Sequence, residues 1–372
     1  MAATGKKHQF PLYVTKRMGV GKKKYWLIRI GGILVAFLAA GIICSILAPG
    51  SFGLFFSELI RGCFDFSDIS ILMDLLVLFA VLLLISISLI PAFKMKFWNI
   101  GAEGQILIGC LAAAGVCLYF QVNMKDFPNF WVIIFALLAA IGASLFWTMV
   151  PTFFKTFFNT NETLFTLMMN YVATIASSMA ISLWIKNGSH SFPRLKIGIF
   201  PKIWGTTGTL VFFIALAIFA FMFVYVNFGK HGYEIAVLGE SSDTARYIGI
   251  NPKKVMLRTM VLCGVLSGVI GFFLVCGVNR SFNATLVGGK GFTGVLIAWL
   301  GHFDPLEVAM FSFLSAVMEQ GTKTAASAVN ISSTQFSAIC SGVFFFIIIA
   351  CEFVSSYQIR IHHKNKVKEV KP

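Results

Sequence analysis

Apolar stretches of membrane-spanning length recur along the whole chain and are separated by short polar segments. A helix that crosses about 30 Å of hydrocarbon needs roughly 20 mostly apolar residues, and proline, glycine and charge clusters mark its ends. The pattern predicts ten spans, at 26–48, 68–90, 98–120, 129–150, 163–185, 207–228, 256–278, 288–303, 306–325 and 334–356. The eighth is short and rich in glycine, so we expect a broken or re-entrant segment there.

Composition agrees with this pattern. Of the 372 residues, 58% are hydrophobic and 12% are charged, whereas about a quarter of the residues in a soluble domain are charged. An ordinary soluble enzyme is therefore excluded. The sequence predicts an all-α polytopic membrane protein with about ten transmembrane helices, divided into a basic N-terminal arm at 1–25, a transmembrane domain at 26–356 and a basic tail at 357–372.

The basic residues indicate the orientation of the spans. Lys and Arg number 30 against 15 Asp and Glu, which gives a formal charge of +15. With a cytoplasmic N-terminus, 21 of the 30 lie on the cytoplasmic side, as the positive-inside rule requires, and ten spans place both termini there. We expect the 22–24 lysine cluster and the tail to contact anionic lipids, and we expect no nucleic acid partner. Four cations remain together in one external loop: Lys186, Arg194, Lys196 and Lys202.

Cysteine and histidine give no sign of a metal site or of a disulfide framework. The eight cysteines include no Cys-x-x-Cys pair, and the histidines lack ligand neighbours at helical spacing. The glycine-rich run at 288–294 resembles part of a phosphate-binding loop. However, the first glycine of that motif is missing and no Ser or Thr follows Lys290, so the Walker A pattern fails. We therefore expect a chain that is not an enzyme and has no cofactor of its own.

Polar residues gather where the third span begins, in the run Asn-Ile-Gly-Ala-Glu-Gly-Gln at 99–105. On a helix Asn99 and Glu103 share a face, and Gly101 and Gly104 allow another helix to approach closely. An ionised group inside a span costs at least about 2.5 kcal/mol on insertion scales. Two interpretations stay open: the run lines a transport cavity, or Glu103 lies at the headgroup level and only caps or pairs structurally.

The fifth span carries a stripe of polar side chains. It begins with the run Asn-Glu-Thr-Leu-Phe-Thr-Leu-Met-Met-Asn-Tyr at 161–171, and polar residues recur at steps of three and four: Thr163, Thr166, Asn170, Thr174 and Ser177. Such a stripe faces either a water-lined pathway or a neighbouring helix, through hydrogen bonds. Asn170 is the strongest candidate for function, because a buried amide without a partner costs more than a hydroxyl that can bond the carbonyl four residues back.

Glycine interrupts the eighth span at 288–294 much as the 99–105 run interrupts the third. The third and eighth spans hold corresponding positions if the chain consists of two halves of five spans. Interrupted segments at corresponding positions are the best sequence indication of a transport pathway. The two runs share no alignable residues, so the repeat rests on the interruptions alone.

The longest internal cytoplasmic loop, at 229–255, contains the signals of a short helix. Ser241 or Ser242 can cap it, Asp243 favours its first turn, and Gly249 suits the position after its end. A short capped helix on the cytoplasmic face is suited to docking a soluble partner. From these residues alone, a simple re-entry elbow is the better interpretation.

Four runs taken together resemble the membrane permeases of ABC importers. They are the runs at 99–105 and 161–171, Ala-Arg-Tyr-Ile-Gly-Ile-Asn at 245–251 and Gly-Phe-Thr-Gly-Val at 291–295. The subgroup they resemble is the bacterial nucleoside permeases that depend on a binding protein of the basic-membrane-protein type. These are relatives of the ribose, galactose and branched-chain amino acid permeases. The run at 99–105 favours nucleosides, whereas the Gly-Ile-Asn loop run supports only the wider superfamily.

The resemblance implies a type II ABC importer permease fold in the bacterial cytoplasmic membrane, in which two permease chains enclose the pathway. Two ATPase subunits, which hold ATP and Mg²⁺, bind below, and an extracytoplasmic binding lipoprotein delivers the substrate. Relatives with this form of the 99–105 run usually pair with a second, shorter permease, so a heterodimer is expected. The 240–250 segment then resembles a coupling helix rather than an elbow, with the candidate residues Gly239, Glu240, Asp243, Ala245, Arg246 and Gly249.

For a neutral nucleoside, amides can pair with ribose hydroxyls or base edges while aromatic rings stack on the base. The expected pathway residues are Asn99, Glu103, Gln105, Asn161, Thr166, Asn170, Phe292 and Thr293. The four cations of the external loop are expected to dock the binding protein. Two alternatives stay open: a permease for simple sugars or branched-chain amino acids, and, from another class, a proton-coupled secondary transporter that uses Glu103, Asp74 and Glu319.

Overall fold

The computed structural model describes residues 12–16, 22–65, 68–185, 188–203 and 206–361. Within these residues the chain is almost entirely helical, with two short strands, β1 (Leu12–Lys16) and β2 (Tyr357–Ile361). The helices are α1 (Lys22–Leu47), α2 (Phe52–Phe64), α3 (Ile69–Lys94), α4 (Ala102–Asn123), α5 (Asn129–Phe158), α6 (Glu162–Trp184), α7 (Thr209–Phe228), α8 (Lys230–Glu240), α9 (Ser242–Tyr247), α10 (Pro252–Phe272), α11 (Lys290–Leu300), α12 (Pro305–Ala328) and α13 (Ser333–Ser356). A π-helical turn, Phe273–Asn279, continues α10 without a break.

Among the described residues, eight helices are long and apolar enough to cross a membrane, which confirms the polytopic all-α prediction. The remaining two predicted spans correspond to α11 and α12. With 11 residues, α11 rises only about 17 Å, so it covers roughly half of the hydrocarbon thickness. The 24 residues of α12 are long enough to cross, but Glu307, Glu319 and Lys323 make it more polar.

Side-chain caps fix where several helices begin. Asp68 precedes α3 and accepts a hydrogen bond from the backbone N–H of Ser70 at 2.9 Å. Asn161 precedes α6 and accepts one from the N–H of Leu164 at 3.1 Å. Such caps satisfy N–H groups that have no acceptor within the helix itself, so the start of α6 at the predicted run follows from local chemistry.

The chain divides into two compact units. The terminal unit consists of Met1–Glu58 and Thr322–Pro372, and the central unit of Leu59–Gly321. In the terminal unit β1 pairs with β2 in antiparallel register, with Leu12 opposite Ile361. The sequence predicts no structure for the basic arm and tail, so this strand pair is an addition to the predicted fold.

An ion pair lies within the terminal unit, where α1 packs along α13. The Arg29 side chain on α1 is 2% exposed, and its Nη2 lies 3.1 Å from Oε2 of Glu352 on α13. The guanidinium Nε also donates to the same oxygen at 3.3 Å. A charge buried among apolar helices is tolerated when it is paired in this way.

In the central unit, α4, α5 and α10 pack closely through small residues. Gly268 of α10 lies against α5, where an added Cβ would be 2.6 Å from Cα of Ile141. Gly271 lies against α4, where a Cβ would be 2.7 Å from the carbonyl oxygen of Ile106. Small residues allow helix backbones in lipid to approach closely enough for extensive van der Waals contact. This three-helix packing provides the frame on which the 99–105 run is held.

Candidate functional site

The 99–105 run folds into a compact turn ahead of α4. Asn99 is fully buried, and its Oδ1 accepts a hydrogen bond from the N–H of Gly101 at 3.1 Å. Its Nδ2 donates to Gln105 Oε1 at 3.2 Å, and Gln105 Nε2 donates back to Asn99 Oδ1 at 3.0 Å. The two amides therefore satisfy each other, which offsets the cost of burying them.

The polar stripe of α6 lies against this turn. Asn170 joins two parts of it, because its Oδ1 accepts from the N–H of Gly104 at 2.9 Å and its Nδ2 donates to the carbonyl of Ile100 at 2.9 Å. Thr166 Oγ1 accepts from the N–H of Ile100 at 3.2 Å and donates to the carbonyl of Glu162 at 2.8 Å. At Thr166 and Asn170 the stripe therefore forms hydrogen bonds with a neighbouring segment. This contact corresponds to the second interpretation, in which the stripe faces a neighbouring helix and not a water-lined pathway.

Glu103 caps a helix other than its own. Its Oε1 accepts from the N–H of Gly289 at 2.8 Å, and its Oε2 accepts from the N–H of Gly291 at 2.7 Å. These N–H groups lie at the start of α11, where the helix offers no internal acceptor and its dipole favours a negative charge. Gly289 has φ +81°, a left-handed conformation that glycine adopts without strain. The carboxylate thus joins the two glycine-interrupted runs.

The segment from the π-helical turn to α12 is discontinuous. Residues 281–289 form no helix, and α11 begins only at Lys290. Irregular backbone at membrane depth is tolerated where it is buried in protein or lines a cavity, and half-helix ends of this kind bind substrate groups in several transporters. Here the carboxylate of Glu103 accepts hydrogen bonds from backbone N–H groups at the start of that half-helix.

The remaining predicted pathway residues differ in their surroundings. Phe292 is 40% exposed. Thr293 is half-buried and its Oγ1 donates to the carbonyl of Gly289 at 3.3 Å. Asn161 caps α6 and also lines a groove of about 390 Å³ along the exposed face of that helix, together with Thr160, Leu164, Phe165, Met168, Met169 and Val172. Exposed side chains therefore lie on both α6 and α11, the two helices that are hydrogen-bonded to the 99–105 run.

The loop at 229–255 contains two helices, α8 and α9. Ser241 caps α9 by accepting from the N–H of Thr244 at 3.2 Å, and Gly249 follows its end with φ +86°, as predicted. Gly239, at the end of α8, packs on α3 so tightly that an added Cβ would lie 1.9 Å from the carbonyl oxygen of Lys94. Fully buried Ala245 anchors α9 in an apolar cluster.

The outer face of α9 is polar and open. Asp243 and Arg246 lie 3.8 Å apart, with side chains that are 90% and 67% exposed, and Tyr247 is 93% exposed. Glu240 is exposed as well. The candidate coupling residues thus differ in their surroundings, since Gly239 and Ala245 pack against the bundle while the side chains of Glu240, Asp243 and Arg246 are exposed.

One histidine of this loop, on α8, is buried where α7, α8 and α10 meet. His231 is 2% exposed; its Nδ1 is hydrogen-bonded to the Tyr225 hydroxyl and its Nε2 lies 3.3 Å from Thr259 Oγ1. Burial lowers the pKa of His231 below its ordinary value, and the positive charge of Arg258 lowers it further. The sequence shows no sign of this network, because the bond between His231 and Thr259 joins residues that are 28 positions apart.

Of the four loop cations, Lys186 lies outside the described residues, and Arg194, Lys196 and Lys202 are exposed. Their loop is hydrogen-bonded to the residues that follow the π-helical turn. The N–H of Leu195 donates to the carbonyl of Arg280 at 2.7 Å, and the N–H of Phe192 to that of Phe282 at 2.8 Å. These two bonds flank Arg194 and connect its part of the loop to the segment that follows the π-helical turn.

Two charged residues join this loop without having been predicted to do so. Asp74 of α3 and Arg280, at the end of the π-helical turn, line a pocket of about 220 Å³ together with Arg194, Thr206, Thr207 and Asn279. Arg280 Nε donates to Thr207 Oγ1 at 3.3 Å. The position of Arg280 just after an apolar span was the available sequence signal for a charged residue at a membrane surface.

The family model for the permease component of branched-chain amino acid transport systems matches residues 71–350. The chain belongs to this family. The permease is thus the membrane-spanning component of a transport system, and the resemblance found in the four sequence runs is confirmed. Both glycine-interrupted runs and the 229–255 loop lie within the matched residues.

Three similar proteins show which permeases this chain resembles. The permease is 27% identical over 341 residues to the guanosine ABC transporter permease protein of Bacillus subtilis, covering 88% of this chain and 92% of that one. It is 26% identical over 259 residues to a nucleoside ABC transporter permease protein of Lactococcus lactis subsp. cremoris, covering 64% and 69%. It is 25% identical over 329 residues to the glucose ABC transporter permease protein of Haloferax volcanii, covering 84% and 83%.

Proposed function

We propose that this permease translocates nucleosides into the cytoplasm as part of an ABC importer. The observation that carries the proposal is the contact of the 99–105 run, the run that favours nucleosides, with both α6 and the start of the discontinuous α11. The similarity to guanosine and nucleoside permeases over most of the chain supports it.

In this proposal the predicted pathway residues have two kinds of task. Asn99, Gln105 and Asn170 are buried and bonded within the protein, so they hold the turn in place. Substrate contact is assigned to the exposed face of α6 and to Phe292 and Thr293 on α11. The aromatic ring of Phe292 can stack on a nucleobase. Such stacking does not depend on which base is present, because every base has a π-face.

The proposal includes partners on both sides of the bacterial cytoplasmic membrane. Two ATPase subunits, which carry ATP and Mg²⁺, bind the exposed face of α9 from the cytoplasm, where both termini of the permease lie. A substrate-binding lipoprotein docks on the external loop, whose exposed cations suit acidic patches. A second, shorter permease completes the pathway as a heterodimer. Closure of the ATPase pair moves α9 and switches access between the two sides.

The test is uptake of radiolabelled guanosine and uridine by proteoliposomes that contain the complete transporter. We expect ATP-dependent uptake that unlabelled nucleosides compete with and that ribose, glucose and leucine do not. Failure of nucleosides to compete would reject the nucleoside assignment, and uptake by this chain alone, driven by a proton gradient without ATP, would reject the importer.

A sugar permease is the second candidate function. It is favoured by the similarity to the glucose permease over 84% of this chain. The same assay decides between them, because competition by glucose or ribose in place of nucleosides is the outcome that this candidate predicts.

A further inference from the structure

A cleft between α8 and α10 contains basic side chains to which the proposed transport mechanism assigns no role. Lys230 and Glu234 lie one turn apart on α8, and Lys254 and Arg258 lie one turn apart on α10. Residues four apart share a helix face, and all four side chains line the same cavity of about 450 Å³. Two charged pairs therefore face each other across this cleft, called the α8–α10 cleft below.

The charges in the α8–α10 cleft do not balance. Arg258 Nη1 lies 4.0 Å from Glu234 Oε2. Within the part of the chain that the structure describes, Lys230 and Lys254 form no ion pair with a carboxylate. The single acidic group is thus taken by the arginine, and two ammonium groups remain to attract an anion.

The first turn of α10 adds to this attraction. Asn251, which also lines the cleft, caps α10 by accepting from the N–H groups of Lys253 and Lys254 at 3.1 and 3.3 Å. The positive end of the dipole of a 21-residue helix is therefore directed at the same cavity. The backbone of 248–251 closes the remaining side.

The cleft lies at the level where membrane-spanning segments end. One candidate span stops at Phe228 and the next starts at Pro252. Phe228 is 76% exposed, and Ile248, which lines the cleft, is 49% exposed. Apolar surface next to unmatched positive charge at the membrane edge is the arrangement that receives the phosphate group of an anionic lipid.

We propose that the α8–α10 cleft is a binding site for a phosphate group, held by Lys230 and Lys254 with Arg258 at its edge. The cavity would be filled by about one turn of a helix roughly 10 Å across, so it suits a headgroup better than a protein segment. The phosphate comes from an anionic phospholipid or from a free phosphate ion. The site does not depend on which substrate the permease carries.

Native mass spectrometry of the full-length chain tests the site. The chain is released from nanodiscs of equal parts phosphatidylglycerol and phosphatidylcholine, and the retained lipids are counted. The double variant Lys230→Gln/Lys254→Gln should bind phosphatidylglycerol about 30-fold more weakly, from the typical contribution of two lysines at a membrane surface. Lys96→Asn is the matched control. It removes an exposed lysine beside Met95 and Phe97, which pack with α8 and α10, and asparagine tolerates its φ of +59°.

Each outcome decides the proposal. Selective loss of phosphatidylglycerol in the double variant supports it, and displacement of that lipid by excess inorganic phosphate shows that the free ion binds too. Retention despite phosphate assigns the site to the lipid alone. Equal retention by the wild type and the double variant would overturn the proposal. So would unchanged lipid retention with loss of ATPase co-purification, because the cleft would then be a protein contact. Unchanged thermal unfolding in pure phosphatidylcholine shows that the double variant is folded.

Discussion

Glu103 and Gly291 contact each other through both side chain and backbone. The N–H of Gly291 donates to Glu103 Oε2 at 2.7 Å, and a Cβ on Gly291 would lie 2.5 Å from the backbone nitrogen of Glu103 and 2.6 Å from its Cα. Because no side chain fits into that space, α4 and α11 meet backbone to backbone. The carboxylate then fixes the half-helix at this contact.

Replacing Gly291 with alanine should therefore separate α11 from α4. Loss of the charge-assisted bond at this position is expected to cost about 1.5–3 kcal/mol and to reduce uptake about tenfold or more. The measurement is the initial rate of nucleoside uptake, normalised to folded protein by size-exclusion chromatography. Gly142→Ala is the control, since nothing lies within 4 Å of its added Cβ and it should retain full activity. Wild-type uptake by Gly291→Ala would show that the contact is dispensable.

Asn170→Ala should destabilise the permease by about 2–4 kcal/mol, because the N–H of Gly104 and the carbonyl of Ile100 would both lose their partner in a buried place. A lowered thermal unfolding temperature is the expected result. Ser178→Ala on the same helix is the comparison, because its exposed hydroxyl bonds only the carbonyl of Thr174 within the helix. Equal unfolding temperatures for the two variants would contradict a bridging role for Asn170.

Charge reversal at Arg246 tests the coupling face. Arg246→Glu leaves the buried anchor Ala245 in place, so the loop should fold while co-purification of the ATPase subunits falls about tenfold. Co-purification in detergent is measured against that of Arg194→Glu, which reverses a charge in the external loop and should retain the ATPase. An Arg246→Glu variant that keeps its ATPase and couples hydrolysis to uptake would reject α9 as the coupling helix.

The external cations lead to a prediction about docking of the binding protein. The double variant Arg194→Glu/Lys202→Glu should weaken docking of the binding protein about tenfold and reduce the dependence of docking on ionic strength, because exposed charges act over a Debye length of about 8 Å in physiological salt. Titration by surface plasmon resonance at two salt concentrations measures both. Lys125→Glu, an exposed residue between α4 and α5, should have a smaller effect. Unchanged affinity in the double variant would remove the docking role.

The lowered pKa of His231 predicts a stability loss in acid. Below about pH 6.5 the unfolded chain takes up a proton that the folded chain resists, because burial and Arg258 disfavour the charged imidazole. Stability should thus fall as the pH drops below 6.5, level off below the folded pKa, and be insensitive to this group above pH 6.5. Thermal unfolding at pH 5 and pH 7.5 should show a larger difference for the wild type than for His231→Gln. An equal difference in unfolding temperature for the wild type and His231→Gln would show that His231 does not cause the loss of stability in acid.

Much of the helical framework was predictable because apolarity over 20 residues is a direct requirement of the bilayer. The cap of α9 was predicted as well, since Ser241 acts on an N–H group only three residues away, whereas Asn161, expected as a pathway residue, was not predicted to cap α6. The short helix α2 was missed, because its 13 residues fall below the length of a span.

The partners of the polar groups were not predictable from the sequence. Asn170 bonds Gly104 across 66 residues, and Glu103 bonds Gly289 across 186. An amide or a carboxylate inside a span indicates that a partner is needed. The side chain can accept a hydrogen bond from any N–H group, so its chemistry does not identify the donor. Only the packing of α4, α6 and α11 selects which donor is close.

The ion pair between Arg29 and Glu352 has a consequence for biosynthesis. The two residues are 323 positions apart, so at about 5–20 residues per second the ribosome adds Glu352 roughly 15–65 s after Arg29. During that interval the first helix already carries its arginine without the carboxylate that will neutralise it. We therefore expect α1 to take up its final packing against α13 only after α13 has been synthesised, whichever helices between them have inserted before.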